Sequence, residues 1–320
     1  MVTHWLAELD GRRATVEVPA TSANLGAGFD CLAVALALTN TVTLEVRSWS
    51  RGQIELTVDG EGKRELKEDR ENRFVRGVEA AMRTARGELP DGVGWRVEMH
   101  NEIPLARGLG SSAAATVGGL IAANALLGGP LASYELLALA TEIEGHPDNA
   151  AAAMLGGFVV SSVVDGRLEA VRFDAPRDLR AVLFIPELRL STDEMRAVLP
   201  DTVSRADAVA NLSAVAIGVA GLATRRYDLL RRLTTDRLHE PYRAAHYPAL
   251  PRLLEAALGA GALGACLSGA GSAVLAFSNK LATISRIEAA MLAVAGDEDL
   301  AGRVLVVAPR NAGATVVSTT

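Results

Sequence analysis

The chain has 320 residues and a formal net charge of −6 at pH 7. This length exceeds what one hydrophobic core usually organises, so it predicts two domains of similar size. The acidic balance argues against a nucleic-acid partner, because affinity for phosphate backbones comes from clustered lysines and arginines.

Cysteine usage and hydrophobicity predict a cytoplasmic protein that does not enter a membrane. Cys31 and Cys266 lie far apart in apolar runs, which is typical of free thiols in a reducing compartment and not of a disulfide or metal site. Residues 1–10 lack the basic start and apolar stretch of a signal peptide. The longest apolar candidate, 113–127, is shorter than the ~18 residues that a membrane span needs.

The first half of the chain reads as a mixture of strands and helices. Alternating or β-branched apolar residues predict strands at 14–18, 32–46, 53–58 and 95–99. Helical spacing of apolar residues predicts helices at 74–86, 111–127 and 133–143. The charged run 64–73 is interpreted as a solvated surface loop, and Asp165-Gly166 predicts a hairpin turn.

The second half is richer in arginine and predominantly helical. It carries predicted strands at 181–185, on both sides of 268–272 and at 304–307, with several helices before 258 and one at 284–295. This mixture predicts an α+β fold. The change of composition places the domain boundary near residue 168, giving domains 1–168 and 169–320.

The segment with the clearest chemical meaning is a glycine-rich loop before the helix at 111–127. Its eleven residues are Pro104, Leu105, Ala106, Arg107, Gly108, Leu109, Gly110, Ser111, Ser112, Ala113 and Ala114. Glycines allow close backbone approach, and the unpaired N–H groups at the start of a helix favour an anion. The common ATPase loop requires a lysine that is missing here, so the loop predicts a phosphate site of another type.

This loop resembles the signature P-x-x-x-G-L-G-S-S-A-A of the kinase family named for galactokinase, homoserine kinase, mevalonate kinase and phosphomevalonate kinase. Two further signatures, at 19–30 and 267–272, extend the resemblance over most of the chain. The resemblance implies an ATP-dependent small-molecule kinase. It also implies a ribosomal-protein-like N-terminal domain, a ferredoxin-like C-terminal domain and an ATP site between them.

The N-terminal signature points to one branch of the family. Residues 19–30 read P-A-T-S-A-N-L-G-A-G-F-D, which is similar to the branch that phosphorylates L-homoserine in threonine biosynthesis. Mevalonate and galactose kinases carry a lysine or a Gly-Glu-His pattern near this place, whereas the first lysine of this chain is Lys63. A mevalonate-type kinase and a non-catalytic binding module of the same fold remain the alternatives.

Homoserine is a zwitterion with one reactive hydroxyl, so its site needs a carboxylate near the amine and arginines near the carboxylate. By the resemblance, Asn24 and Asp30 face the substrate, and the segment 191–196 contributes Thr192 and Arg196. Arg243 is expected to complete the carboxylate clamp, with Arg237 as the rival.

The resemblance also implies Mg²⁺ held by a serine of the loop, Ser112, and a glutamate near the end of the helix at 133–143. Glu142 is preferred by helical register and Glu144 is the alternative. Mg²⁺ keeps waters and phosphate oxygens in its coordination shell, so only one or two ligands from the protein are expected.

The segment His146-Pro147-Asp148-Asn149 resembles the H-x-D-N motif that lines the substrate pocket. Asp148, Asn149 and Arg196 are the catalytic candidates. Asp148 could accept the hydroxyl proton, but phosphoryl transfer does not require a strong base, so direct attack stays open. A homodimer is the family expectation.

Overall fold

The structure is a computed structural model that describes residues 4–48, 50, 52–89 and 92–320. The helices are α1 (His4–Ala7), α2 (Arg73–Arg86), α3 (Ser111–Leu126), α4 (Ser133–Glu144), α5 (Asp148–Leu155), α6 (Thr192–Ala197), α7 (Arg205–Ala223), α8 (Leu230–Leu233), α9 (Glu240–Arg243), α10 (Leu250–Gly259) and α11 (Leu281–Asp297). The strands are β1 (Arg13–Ala23), β2 (Leu32–Arg47), β3 (Ile54–Gly60), β4 (Gly94–Asn101), β5 (Phe158–Val164), β6 (Arg167–Phe173), β7 (Arg180–Pro186), β8 (Gly264–Leu267), β9 (Val274–Ser278), β10 (Gly302–Val307) and β11 (Thr315–Thr319).

The first unit is built on a 7-stranded sheet. Its main path runs β11-β1-β2-β4-β3, and β5 pairs with the start of β2 and with β6. β3 and β4 are parallel, whereas the other pairs are antiparallel. α3 and α5 lie against β1 and β2, and α2 and α4 pack on α3.

Small residues allow α2 and α3 to approach closely. A Cβ on Gly77 of α2 would lie 2.4 Å from the carbonyl oxygen of Thr116, and one on Gly119 of α3 would lie 2.1 Å from that of Phe74. Any larger residue at either position would force the helix backbones apart. This close packing fixes α3, whose first residue, Ser111, belongs to the predicted phosphate loop.

The second unit contains a 4-stranded antiparallel sheet in the order β10-β7-β9-β8. Helices separate β7 from β8 and β9 from β10, and α10 and α11 pack on the sheet. This is the ferredoxin-like β-α-β-β-α-β arrangement with additional helices inserted after β7. The α+β prediction is confirmed.

The sheets divide the chain differently from the predicted boundary. Residue 168 falls inside β6, which belongs to the first sheet, and β11 returns from the C-terminus to pair with β1. The last strand that the sequence pattern predicts is 304–307, so β11 was not predicted. We therefore propose a division between β6 and β7, with 315–319 assigned to the first unit.

Among the described helices, α7 and not the segment 113–127 reaches the length of a membrane span. By length and composition α7 could cross a membrane, with a mean hydropathy of 1.6 over its window, a feature that the sequence reading overlooked. Its buried Asn211 bonds the carbonyl of Ala27 and the carboxylate of Asp236. These contacts tie α7 into the fold around the site described next.

Candidate active site

A narrow cavity of about 120 Å³ lies where the two units meet. The N-terminal segment before β2, the loop before α3, the α4–α5 connection, α6, α9 and the β8–β9 turn all reach it. All seven residues predicted to bind substrate line this cavity: Asn24, Asp30, His146, Asp148, Thr192, Arg196 and Arg243. Residues far apart in sequence are therefore brought together at one place.

The loop before α3 forms one wall of the cavity, and its glycines are required by packing. Gly108 and Gly110 have φ of 70° and 71°, in the left-handed region that favours glycine. A Cβ on Gly108 would lie 1.9 Å from the carbonyl oxygen of Ser268, and one on Gly110 would lie 1.9 Å from Thr21 Oγ1. The loop is thus fitted against the β8–β9 turn and β1.

The N-terminus of α3 opens on the same cavity. Its N-cap residue, Gly110, offers no side-chain hydrogen bond, so no side-chain cap competes with a ligand for the N–H groups of the first turn. Ser111 and Ser112 are partly exposed beside these N–H groups. A helix start of this kind can bind a phosphate group.

The side chains of the loop do not all face the cavity. Arg107 turns toward the second unit, where Nε donates to Pro186 O at 2.7 Å and Nη2 donates to Glu187 O at 2.7 Å. Ala114 is buried in the core. Arg107 therefore anchors the loop to the neighbouring unit, which its place in the glycine-rich motif did not indicate.

A second and larger cavity, of about 530 Å³, adjoins the first at Ala106, Ser111 and Ser112. It is bounded by the 65–73 segment, by β2 and β4 and by Leu105. Asn72 lines this cavity, and its Oδ1 accepts from Phe74 N as the N-cap of α2. The charged run interpreted as a surface loop is thus also a cavity wall.

Asn24 and Asp30 are held in an unusual backbone conformation. Their φ angles are 68° and 56°, in the left-handed region that residues other than glycine adopt rarely and that Asn and Asp adopt more readily than most. Asn24 Oδ1 accepts from Asp30 N at 3.0 Å, and its Nδ2 donates to Gly269 O at 2.9 Å. The amide thus shapes the turn that presents the Asp30 carboxylate to the cavity.

Two arginines face this carboxylate. Arg196 makes a bidentate ion pair with Asp30 at 2.6 and 2.9 Å, and this bond raises the pKa of Arg196 despite partial burial. Arg243 is fully buried and donates from Nη1 to Gly269 O; burial lowers its pKa to about 10. Arg237, the rival for the clamp, instead pairs with Asp207 at the surface.

His146, Asp148 and Asn149 form a hydrogen-bonded group at the start of α5. Asp148 is 1% exposed, and its Oδ1 lies 2.6 Å from His146 Nδ1 and accepts from Asn149 N at 2.6 Å. Burial alone would lower the pKa of His146, but the bond and charge of Asp148 outweigh it and raise that pKa. Asn149 also accepts from Thr21 Oγ1 at 2.7 Å.

Glu144, and not Glu142, lies next to Ser112. Ser112 Oγ donates to Glu144 Oε1 at 3.1 Å, and Thr116 donates to the same oxygen at 2.6 Å. Residues two apart on a helix point to nearly opposite sides, so Glu142 is exposed to solvent. Of the two glutamates that the sequence left open, the geometry therefore favours Glu144 as the partner of Ser112.

Two contributors were missed by the sequence reading. Phe29 lies beneath both guanidinium groups, with Arg196 Cζ at 5.6 Å and Arg243 Cζ at 5.5 Å from the ring centroid. The His239 ring also stacks with Phe29, with the two ring centroids 5.2 Å apart. Phe29 belongs to the signature at 19–30, and His239 lies between the two clamp candidates Arg237 and Arg243, but only their spatial neighbours reveal their place.

Comparison with known proteins gives consistent matches over the chain. Residues 72–157 match the family of GHMP kinases N terminal domains, and residues 219–296 match the family of GHMP kinases C terminal domains. A homoserine kinase from Moorella thermoacetica is 42% identical over 303 residues, covering 94% of this chain and 99% of its own. One from Corynebacterium efficiens is 43% identical over 277 residues, covering 84% and 87%.

Solved structures agree in fold. The crystal structure of homoserine kinase from Cytophaga hutchinsonii superposes with a TM-score of 0.84 at 32% identity, covering 95% of this chain and 97% of that one. L. major mevalonate kinase in complex with R-mevalonate superposes with a TM-score of 0.65 at 15% identity, covering 95% and 96%, which shows a shared fold alone. The identities over nearly the whole chain place this protein in the GHMP kinase family, among the homoserine kinases.

Proposed function

We propose that this kinase transfers the γ-phosphoryl group of Mg-ATP to the hydroxyl of L-homoserine, giving O-phospho-L-homoserine and ADP. One observation carries the proposal: a carboxylate and two arginines converge in a small cavity directly beside an open helix N-terminus. This arrangement provides one partner for an ammonium group and two for a carboxylate, within reach of a phosphate site. A substrate with one acidic and one basic group fits it best.

The two adjoining cavities suit the two substrates. The larger one has space for a nucleoside. Because Ala106, Ser111 and Ser112 line both cavities, we infer that the phosphates bind at the start of α3. The smaller one then receives the amino acid, with Thr192 and Asn24 available to its polar groups. The hydroxyl and the γ-phosphorus would meet at this boundary, which is the proximity that such transfer requires.

Ser112 and Glu144 fit a magnesium site. Both offer oxygen ligands, and a magnesium ion in a kinase takes only one or two carboxylate or hydroxyl groups besides phosphates and waters. When bound, Mg²⁺ would neutralise negative charge on the phosphate oxygens. Arg73 Nη1 lies 3.8 Å from Glu144 Oε1 and places a positive charge beside this carboxylate.

Transfer itself depends mainly on positioning and on charge stabilisation. The N–H groups of α3 stabilise the phosphates, and Asp148, a buried carboxylate that lines the cavity, is the candidate acceptor of the hydroxyl proton. Since Asp148 Oδ1 is already engaged by His146 and by Asn149 N, we propose that these two residues orient the carboxylate. Direct attack without a dedicated base remains compatible with this geometry.

The test is ADP release with Mg-ATP and L-homoserine, run beside L-serine, L-threonine, mevalonate and galactose at equal concentration. Selective turnover of L-homoserine, with the phosphate ester on its side-chain oxygen by ³¹P NMR, is the expected result. Turnover of mevalonate or galactose instead would overturn the substrate assignment while leaving a kinase. ATP hydrolysis unaffected by every alcohol would overturn phosphoryl transfer to a small molecule.

The last part of the proposal concerns the cellular compartment and the binding partners of the enzyme. We propose that the enzyme acts on its small-molecule substrate in the cytoplasm, where both Cys31 and Cys266 stay as free thiols. Neither a nucleic acid nor a membrane is proposed as a partner. A homodimer remains an expectation from the family.

A further inference from the structure

His239, the residue that precedes α9, has a buried imidazole that contacts two segments lining the substrate cavity. It is 0% exposed. Its Nε2 lies 2.8 Å from Gly26 O, in the N-terminal signature segment, and its Nδ1 lies 3.0 Å from Arg243 Nη1. The ring therefore links the segment that carries Asn24 and Asp30 to the helix that carries Arg243.

These two partners determine where the proton sits. A carbonyl oxygen can only accept a hydrogen bond, so Nε2 must carry the proton that it donates to Gly26 O. A guanidinium can only donate, so Nδ1 must be unprotonated to accept from Arg243. Only the neutral imidazole with its proton on Nε2 satisfies both bonds.

The surroundings favour the same neutral form. Burial lowers the pKa of His239 to about 4, with Arg243 acting in the same direction and Asp236 against it. Asp236 Oδ2 lies 3.7 Å from Nε2, which favours the proton on this nitrogen. The imidazole thus stays a hydrogen-bond acceptor toward Arg243 over the physiological pH range.

The position of the ring is itself fixed on several sides. Asp236 accepts from the backbone N–H groups of His239 and Glu240 at 2.8 and 2.7 Å, which closes the turn before α9. Asn211 of α7 donates to Asp236 and to Ala27 O. The ring also stacks on Phe29, so it has little freedom to follow a displaced guanidinium.

We propose that His239 is a positioning residue that holds Arg243 in place for the substrate carboxylate and keeps it in register with the segment presenting Asp30. This inference rests on the proposed function, because it assigns Arg243 to the carboxylate. Arg243 Nη1 divides its hydrogen bonds between His239 Nδ1 and Gly269 O. Arg243 Nε also donates to Met195 O at 3.2 Å. Without the imidazole acceptor, the guanidinium would therefore keep two of its three described hydrogen bonds and lose the one that ties it, through the ring, to the segment presenting Asp30.

Substitution of His239 by Asn or by Gln distinguishes its hydrogen bond with Arg243 from its hydrogen bond with Gly26 O. The carboxamide of His239→Asn places an oxygen near the position of Nδ1, so it can still accept from Arg243 but cannot reach Gly26. The longer His239→Gln places its amide near the position of Nε2, so it can still donate to Gly26 O but no longer accepts from Arg243 at the same place. The variants are thus matched in chemistry and differ in which bond they keep.

The experiment measures KM for L-homoserine, KM for ATP and kcat in both variants and in the parent enzyme. We expect His239→Gln to raise KM for L-homoserine about tenfold or more, the effect of losing a hydrogen bond to a charged group. KM for ATP should stay within about twofold, and His239→Asn should remain close to the parent. An unchanged KM for L-homoserine in His239→Gln, or equal rises in both KM values, would overturn the proposal.

A measurement on the unmodified protein decides the matter even if a variant fails to fold. ¹⁵N NMR of the histidine rings between pH 6 and 8 should show His239 as the neutral tautomer with its proton on Nε2. An imidazolium signal or a proton on Nδ1 would rule out the hydrogen bond that Nδ1 accepts from Arg243 and so overturn the proposal. Failure of the proposed function would be seen separately, as no turnover of L-homoserine by the parent, whatever the tautomer.

Discussion

Arg196 and Asp30 pair with each other across the cavity, with Nη2 2.6 Å from Oδ1 and Nη1 2.9 Å from Oδ2. These are the groups assigned to opposite charges of the substrate, the carboxylate and the ammonium. When a zwitterion binds through them, the ion pair between Arg196 and Asp30 is replaced by two ion pairs with the substrate, one at each residue. A ligand with a single charge would separate the pair and leave one partner without a counter-charge.

The enzyme should therefore discriminate against analogues that lack either charge. 4-Hydroxybutanoate retains the hydroxyl and carboxylate, and 3-aminopropan-1-ol retains the hydroxyl and ammonium. We expect kcat/KM for each to fall about 10- to 100-fold below that of L-homoserine, since an unpaired charge is costly but solvent reduces the cost. Both ionic side chains are about one third exposed, at 36% and 34%, which sets the lower limit of that range.

The comparison is made by coupled ADP release at saturating Mg-ATP. L-Serine, which keeps both charges on a shorter chain, serves to separate the effect of charge from that of hydroxyl position. Equal kcat/KM for 4-hydroxybutanoate and L-homoserine would contradict the role of Asp30 as the ammonium partner.

A second prediction distinguishes the two candidates for the second clamp arginine. Arg243→Lys should raise KM for L-homoserine about 10- to 100-fold, because lysine cannot reproduce the planar fork of a buried guanidinium. Arg237→Lys is the matched control, because Arg237 pairs only with Asp207 at the surface among its described contacts. Its kinetics should equal those of the parent. The reverse pattern in steady-state assays would move the clamp to Arg237.

Local patterns predicted most of the elements because they carry local signals. The period of two in 95–99 and the helical spacing in 74–86 place β4 and α2 to within a few residues. By contrast, β11 is a short, exposed strand whose only described partner is β1 near the other end of the chain, so nothing in its sequence predicts the pairing. The predicted boundary near residue 168 rests on composition, which carries no information about this pairing either.

In the candidate active site, too, motifs of adjacent residues could be predicted, whereas contacts between distant residues could not. The glycine-rich loop and the His146 to Asn149 motif were identifiable because their residues are adjacent in sequence. The choice between Glu142 and Glu144 depended on helix phase at a C-terminal end, where register alone is ambiguous by a residue or two. The turn of Arg107 toward Pro186 and the stacking of Phe29 on His239 depend on how the two units meet, which no local pattern encodes.

The choice of Glu144 over Glu142 can be tested directly. Glu144→Gln should lower kcat on the order of 100-fold and raise the Mg²⁺ concentration needed for half-maximal activity, because the amide is a weaker ligand for a hard cation. Glu142→Gln removes an exposed carboxylate from the same helix turn and should leave both quantities unchanged. Mg²⁺ titrations of activity at fixed ATP check this, and a larger effect in Glu142→Gln would restore the original choice.

His146 and Asp148 predict a pH effect on stability. The pKa of His146 is raised in the folded protein because the bond and charge of Asp148 outweigh burial. Its protonated form thus stabilises the fold fully below the unfolded pKa of about 6.5, and this contribution is lost as pH rises through the folded pKa. The free energy of unfolding of the parent, relative to His146→Gln, should therefore decrease as pH rises across that interval.

Urea denaturation at several pH values measures this difference, and the NMR titration of His146 gives the folded pKa independently. Asp148→Asn removes the charge that raises the pKa, so the titration of His146 should move to lower pH. His100→Gln is the control, because it removes an exposed imidazole that also pairs with an aspartate, Asp59, yet leaves His146 intact. Its unfolding free energy relative to His146→Gln should keep the pH dependence, and a His146 titration unmoved by Asp148→Asn would refute the assigned cause.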